Sequence, residues 1–354
     1  MQIVQDYKAL HAIPEPGRAL PKTVRYITDS LKDLKCRVFS PADGAVCAYF
    51  DFGMEASLAF RADMDALPLA EQTDLPWQSR HPGFMHACGH DGHCAVLLEL
   101  ARRLHRKETL SHNILLIFQP AEETDGGARD ICRAGILEQY RARCIFGLHL
   151  WPGLPRGQIF SKPGTLMANS RGVTVRFTGK SAHIARWQQG ADALSACCRF
   201  YLLSAGLNTP VSLLKFGMLR GGSAGNIVCP QAHLWGSLRT LEDHDSFRQQ
   251  VIELCRAAAE QTGCQGEVLF QAGYPAVENS EILFSLAQSL YPVTQVDKAY
   301  FTCDDFSFYQ RRVPGLYCLL GVGDTKPLHS DRFSFDPDVL SVGADFFEAL
   351  AEGI

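Results

Sequence analysis

Residues 93–120 read HCAVLLELARRLHRKETLSHNILLIFQP, and the period of the apolar positions changes partway through. Over 93–106 apolar residues recur with helical spacing against Glu99, Arg102, Arg103 and Arg106. Over 112–120 they form a short apolar run of strand length. A helix leading into an apolar strand is the repeating unit of an α/β sheet. The same texture extends outward on both sides. AVCAYFDF (45–52), ASLAFRAD (56–63) and CIFGLHLW (144–151) read as strands, and PKTVRYITDSLKDL (21–34) reads as a helix. Strands alternating with helices predict a sheet covered on both faces.

From about residue 170 the texture changes. RGVTVRFTG alternates like a half-exposed strand, and ADALSACCRFYLLSAG reads as a helix. VSLLKFGMLRGG and HLWGSLRTL are strand-like, and SFRQQVIELCRAAAEQTG is an amphipathic helix ending at a glycine. GEVLFQAGYP is a strand again. The order β-α-β-β-α-β is a folding unit in its own right. Helix and strand then return in EILFSLAQSLY, GLYCLLGVG and PDVLSVGADFFEALAEG. The expected architecture is therefore a discontinuous α/β domain, 1–169 with 280–354, interrupted by a smaller α+β domain, 170–279.

A chain of 354 residues is long enough for two such cores. Its net charge of −4 gives no electrostatic reason to expect nucleic acid. No apolar run is long enough to span a bilayer, and MQIVQDYKALHAIP lacks the charged start and apolar core of a signal peptide. The 13 cysteines are scattered, several within apolar runs, and read as reduced, buried, small side chains. The expectation is a cytoplasmic protein that binds neither nucleic acid nor membrane.

MHACGHDGH (85–93) concentrates the chemistry. Cys88 and His90 stand one residue apart, both read as lying ahead of the helix, with Asp91 as its cap. Thiolate and imidazole are preferred ligands for zinc and its neighbours in the transition series. A metal site and a crowded polar turn both remain open on these residues alone. His86 and His93 read as supporting or capping groups. Other polar residues sit near strand ends: Asp63 and Asp65 after LAFRA, Glu122 and Glu123 after FQPA, His149 in GLHLW, and His329 in the loop after CLLGVG. Ligands of open α/β sheets gather at the carboxyl ends of strands. Of two adjacent glutamates, one can bind a metal while the other takes a proton from water.

Taken together, LHAIPE, FRADMDALP, MHACGHDGH, FQPAEE, GLHLWPGLPRGQI, GKSAH, GGSAGNIVCP, GSLRT, DDFSFY and LHSD resemble the amidohydrolase/carboxypeptidase branch of the co-catalytic metallopeptidases. That branch includes hippurate hydrolase, indoleacetyl-amino-acid hydrolases and N-acetyldiaminopimelate deacetylase. The resemblance spans nearly the whole chain. It implies a metallopeptidase-type catalytic domain, a ferredoxin-like lid that also carries a homodimer interface, and two divalent ions per subunit (zinc, manganese, cobalt or nickel). By the same resemblance Cys88 bridges the ions, Glu123 and His329 complete one, and His90 and His149 the other. Asp65 orients a ligand, Glu122 is general base and then acid, and His183 steadies the oxyanion from the partner subunit's side. Asn226 and Arg239 bind substrate, for which a bidentate guanidinium suits a carboxylate.

Read singly, His183 could equally be a plain loop histidine, Asn226 a turn former and Arg239 a solvated strand residue. The implied activity is hydrolysis of N-acyl amino acids, acetyl or aromatic, to a carboxylic acid and a free amino acid. The alternatives are a dipeptidase or carboxypeptidase with the same site, or a silent binding protein on this fold. A structural zinc module fits less well, because the candidate ligands spread from 88 to 329. Two departures bear on the substrate pocket. Trp187 and Gln188 stand where relatives carry Pro-His, and Asp304 stands where they carry glutamate before Asp305 and Phe306.

Overall fold

The N-terminal stretch forms a helix, α1 (Gln2–His11), because Ile3, Tyr7 and Leu10 share one face and are buried on it. The computed structural model describes residues 1–354 apart from Asp125. The chain continues through α2 (Pro21–Leu31), β1 (Arg37–Phe39), β2 (Val46–Phe50), β3 (Ser57–Asp63), α3 (His90–His105) and β4 (Asn113–Gln119). Then come α4 (Gly127–Arg133), α5 (Ile136–Gln139), β5 (Ala142–Pro152), β6 (Ile159–Ser161) and β7 (Gly164–Met167). A second set follows: β8 (Asn169–Thr178), α6 (Ala193–Ser204), β9 (Ser212–Gly221), β10 (Gln231–Thr240), α7 (His244–Glu260) and β11 (Gln265–Tyr274). The last stretch holds β12 (Val277–Asn279), α8 (Glu281–Leu290), β13 (Val293–Gln295), α9 (Ser307–Gln310), β14 (Gly315–Gly323) and α10 (Leu340–Gly353).

These elements divide into two units. One comprises Met1–Leu166, Val277–Lys298 and Asp304–Ile354; the other comprises Met167–Ala276 and Ala299–Cys303. The larger unit holds an eight-stranded mixed sheet in the order β1-β2-β4-β3-β5-β14-β6-β13. Its centre, β4-β3-β5-β14, is parallel. β3 and β4 are buried at every position, as befits strands covered on both faces. Phe60, Phe118, Phe146 and Leu316 meet Leu97, Leu100, Phe346 and Phe347 from α3 and α10 in the core. Trimming one of these leucines to alanine would cost about 2–5 kcal/mol. β7 and β12 form a separate two-stranded ribbon.

The smaller unit has the β-α-β-β-α-β order read from the sequence. Its sheet runs β11-β8-β10-β9, with every pair antiparallel. Val173, Val175, Phe177, Leu234, Phe200 and Val251 form its core between the sheet and helices α6 and α7. Asp192 and Asp243 cap these helices, accepting the N–H groups of Leu194 and of Asp245. The mixed α/β architecture with a smaller α+β unit is thus as expected. No described helix is long and apolar enough to cross a membrane.

Candidate metal centre

The parallel strands of the larger unit deliver its polar residues from their carboxyl ends. β3 ends at Asp63, two residues before Asp65; β4 ends three residues before Glu122; β5 carries His149; and His329 follows β14. His149 lies inside its strand rather than at the end. α3 begins one turn earlier than the sequence suggested, at His90, so His90 and Asp91 lie in its first turn rather than before it. The cap is Gly89 instead of Asp91. Gly89 takes a left-handed φ of 88°, and a Cβ there would stand 2.9 Å from the Leu150 side chain. Glycine satisfies both demands.

Three ligand atoms, from Cys88, His90 and His149, lie within 4.8 Å of one another. Those of Cys88, Glu123 and His329 do the same, so the thiol is common to both sets. His149 Nε2 is 3.5 Å from Cys88 Sγ. The imidazoles are oriented from behind. His90 Nδ1 lies 2.8 Å from the main-chain oxygen of Asp65, and His149 Nδ1 lies 2.7 Å from that of Leu150. With Nδ1–H donated in each case, Nε2 is the ring atom left for the cluster, and it would offer a bound ion a lone pair once free of its proton. Among the described residues the buried His90 Nε2 has no hydrogen-bond partner.

The two glutamates are held by their main chain. Asp65 Oδ1 accepts the N–H of Glu122 at 3.0 Å and Oδ2 that of Glu123 at 3.1 Å. This turn requires Ala121 to adopt a φ of 59°, and His329 carries a φ of 63°. Left-handed backbone at residues with side chains is strained, and such strain gathers at functional sites. His329 Nε2 stands 3.0 Å from Glu123 Oε1, and its side chain is half exposed.

Behind the cluster lies a buried ionic network. Arg61, inside β3, donates to Gln119 at 2.8 Å, Asp63 at 2.7 Å and Asp305 at 2.8 Å. His93 Nδ1 is 2.5 Å from Asp63 Oδ1, and its Nε2 accepts the Leu150 N–H at 2.9 Å. His93 thereby ties β3 to the strand carrying His149. Asp304 bonds to the Tyr317 hydroxyl and lies 3.3 Å from Arg61. Carboxylate oxygens of Glu122, Asp304 and Asp305 fall within 4.8 Å of one another. Arg61 escaped the sequence reading, although a charged residue in the middle of SLAFRAD was the available signal.

The electrostatics favour a cation. Burial and the nearby Glu123 and Glu122 push the Cys88 thiol well up. Burial, Asp304 and Glu123 do the same to the Glu122 carboxyl. Burial opposes charge on His90, yet Asp63, Asp65 and Glu123 raise it to about 10. A proton on His90 therefore offsets carboxylate charge that a bound dication would neutralise. Sulfur, imidazole and carboxylate donors converging here fit divalent transition ions. His86 is buried, its ring nitrogens have no hydrogen-bond partner among the described residues, and burial pushes it down to about 4.

The smaller unit carries the remaining candidates. His183 and Ile227 pair across an antiparallel bridge, and Asn226 accepts the Ile184 N–H at 3.0 Å. His183 and Asn226 are therefore neighbours, both exposed. Arg239, on β10, donates from Nη1 to the Phe301 oxygen at 2.8 Å and lies 3.3 Å from the Cys303 sulfur. Trp187 lies in a short 3-10 stretch, Ile184–Gln189, and is 63% exposed.

A donor set of metal-binding kind thus gathers at the carboxyl ends of the parallel strands. The chain belongs to peptidase family M20/M25/M40, whose model matches residues 59–353. It is 31% identical to an N-acetyldiaminopimelate deacetylase of Brevibacillus brevis, covering 96% of this chain and 94% of that one. It is likewise 31% identical to an uncharacterized hydrolase of Staphylococcus haemolyticus, over 98% and 97% of the two chains. Among solved structures it resembles a Bacillus subtilis protein described as a dinuclear metal binding peptidase from the M20 family. That likeness has a TM-score of 0.90 at 27% identity and covers 100% of this chain and 98% of the other. The family is the one that the motifs resembled.

Proposed function

We propose that the protein is a metal-dependent amidohydrolase of N-acyl amino acids, releasing a carboxylic acid and a free amino acid. The observation that carries this reading is Glu122. It is a buried carboxyl of high proton affinity, one residue from Glu123 in the ligand cluster, and fixed by Asp65. The relatives named as N-acetyldiaminopimelate deacetylases support an acyl-amino-acid substrate.

In this reading Cys88, Glu123 and His329 would hold one divalent ion, and Cys88, His90 and His149 would hold a second. Zinc, manganese, cobalt and nickel all suit this mixed donor set. Two such ions would supply Lewis acidity, bringing the pKa of water toward about 7 and polarising an amide carbonyl. Glu122 takes the proton of the attacking water and passes it to the departing nitrogen. His183 reaches the active site of the partner subunit and donates to the oxyanion that develops there. Asn226 holds the substrate, and the Arg239 N–H groups other than those of Nη1 meet its carboxylate. The larger unit carries the chemistry, and the smaller one acts as lid and homodimer interface. Its edge strand β9 exposes Met218 and Leu219, and α6 exposes Tyr201 and Leu202, which supports that last role.

The test is hydrolysis of N-acetyl and N-benzoyl amino acids and of dipeptides by the metal-loaded protein. Faster cleavage of N-acyl amino acids is expected. Preference for dipeptides would move the assignment to a dipeptidase, and inertness with two ions bound would move it to a binding protein.

A further inference from the structure

The first helix carries a histidine that the proposed chemistry does not use. His11, the last residue of α1, is 2% exposed and precedes the stretch that matches the family model. Its ring nitrogens face carboxylates from two different segments. Nδ1 lies 2.6 Å from Asp91 Oδ2, and Nε2 lies 3.2 Å from Glu71 Oε1. Both carboxylates are buried. Donation from both nitrogens satisfies both partners, which a neutral ring cannot do.

Each carboxylate belongs to a segment that leads to a candidate ligand. Asp91 follows His90 in the first turn of α3, and its other oxygen accepts the Gly92 N–H at 2.9 Å. Among the described residues that helix start has no side-chain cap, and Asp91 is the acidic residue of its first turn, where a negative charge is favoured. Glu71 is followed by Gln72, whose N–H donates to the Asp331 oxygen at 2.8 Å, two residues beyond His329. The His329 N–H in turn donates to the Ala87 oxygen at 2.8 Å, one residue before Cys88. The chain Asp91–His11–Glu71 therefore joins the turn that carries His90 to the loop that carries His329.

We propose that His11 is a positioning residue of the metal centre, bracing the His90 turn against the His329 loop and so fixing the spacing of the two ligand sets. The proposal rests on the reading of those residues as ligands. Without the imidazole, Glu71 keeps the Thr73 hydroxyl and the Ser79 N–H and Asp91 keeps the Gly92 N–H, but the two buried carboxylates lose their shared donor and with it the link between the two segments. Groups that orient metal ligands from behind typically alter metal affinity by about 10–100-fold when removed.

The experiment strips the full-length protein of metal and titrates it with Zn2+ and with Co2+ against a chromophoric chelator. His11→Gln should bind both ions about 10–100-fold more weakly than wild type and show an altered visible cobalt spectrum. Glu71→Gln, which keeps the shape and removes one charge, should lie between the two. Leu31→Ala opens a cavity in the buried face of α2, away from the brace, and should lower Tm while leaving metal affinity unchanged. Wild-type affinity and spectrum in His11→Gln would overturn the proposal, whatever its Tm. If that variant does not fold, wild-type affinity in Glu71→Gln overturns it equally. A wild-type protein that takes up neither ion would overturn the ligand assignment itself and the brace with it.

Discussion

Both carboxylate oxygens of Asp65 are engaged by a single turn, one accepting the N–H of Glu122 at 3.0 Å and the other that of Glu123 at 3.1 Å. The main-chain oxygen of the same residue faces His90 Nδ1 at 2.8 Å. One aspartate thus orients a candidate base and two candidate ligands. In Asp65→Asn the amide nitrogen cannot accept, so one of the two N–H groups loses its partner beside a residue already held at a left-handed φ. Metal affinity should fall about 10–100-fold and turnover at least as far, with far-UV circular dichroism unchanged. Wild-type affinity and turnover in this variant would remove the role from Asp65.

Metal uptake should release protons. Burial and the neighbouring glutamates keep the Cys88 thiol protonated at neutral pH. His90, despite burial, is raised to about 10 and is also protonated in the metal-free protein. Both must deprotonate to bind. Calorimetry in buffers of differing ionisation enthalpy should report about two protons released per subunit, with apparent affinity rising as pH rises. Cys88→Ser should lose most of the affinity. Metal binding indifferent to pH between about 6 and 8 would contradict the assignment.

The Asp91–His11–Glu71 chain predicts a pH dependence of stability. Burial opposes charge on His11, but its hydrogen bonds to Asp91 and Glu71 raise it from 6.5 to about 9. A group raised on folding stabilises fully below its unfolded pKa, and that contribution disappears as pH rises through the folded value. The size is ~3 kcal/mol, lost between about pH 6.5 and 9. Urea unfolding of the metal-free protein across this range should show the decline, and His11→Gln should flatten it. An equal slope in both proteins would contradict the charge assignment.

Much of this was legible in the sequence because periodicity reports burial. β3, β4, β5, β14, α3 and the β-α-β-β-α-β order stood out as apolar runs of clear period. α1 did not, because QIVQDYKALH carries only Ile3, Tyr7 and Leu10 on its apolar face, and its end had no recognisable stop. The short strands β1, β6, β12 and β13 offer only three residues each, too few for a period. The start of α3 was misplaced because an aspartate resembles a cap, whereas the cap is Gly89, at positive φ and close against Leu150. The residues of the candidate cluster stood out by type, and the structure brings Cys88, His90, Glu123, His149 and His329 close together. The braces behind it, Arg61–Asp305 and His11–Glu71, join residues 244 and 60 positions apart, a distance that local pattern does not encode.

The exposed edge of the smaller sheet should not stay exposed in solution. β9 ends its sheet, and Met218, Leu219, Tyr201, Leu202 and Leu203 are all at least 40% exposed. Open strand edges with apolar neighbours invite pairing with another chain, most simply as a two-fold dimer. Sedimentation should show a dimer, and Leu202→Glu combined with Met218→Lys should give a folded monomer. A monomeric wild type at micromolar concentration would contradict this.

The most direct measurement compares wild type with Glu122→Gln, both metal-loaded, for metal content and for turnover of an N-acyl amino acid. The account predicts the same two ions per subunit in each protein and a loss of turnover of about 100-fold or more in the variant. Equal turnover, or loss of the metal together with the carboxyl, would contradict the role of Glu122 as the proton-transferring base.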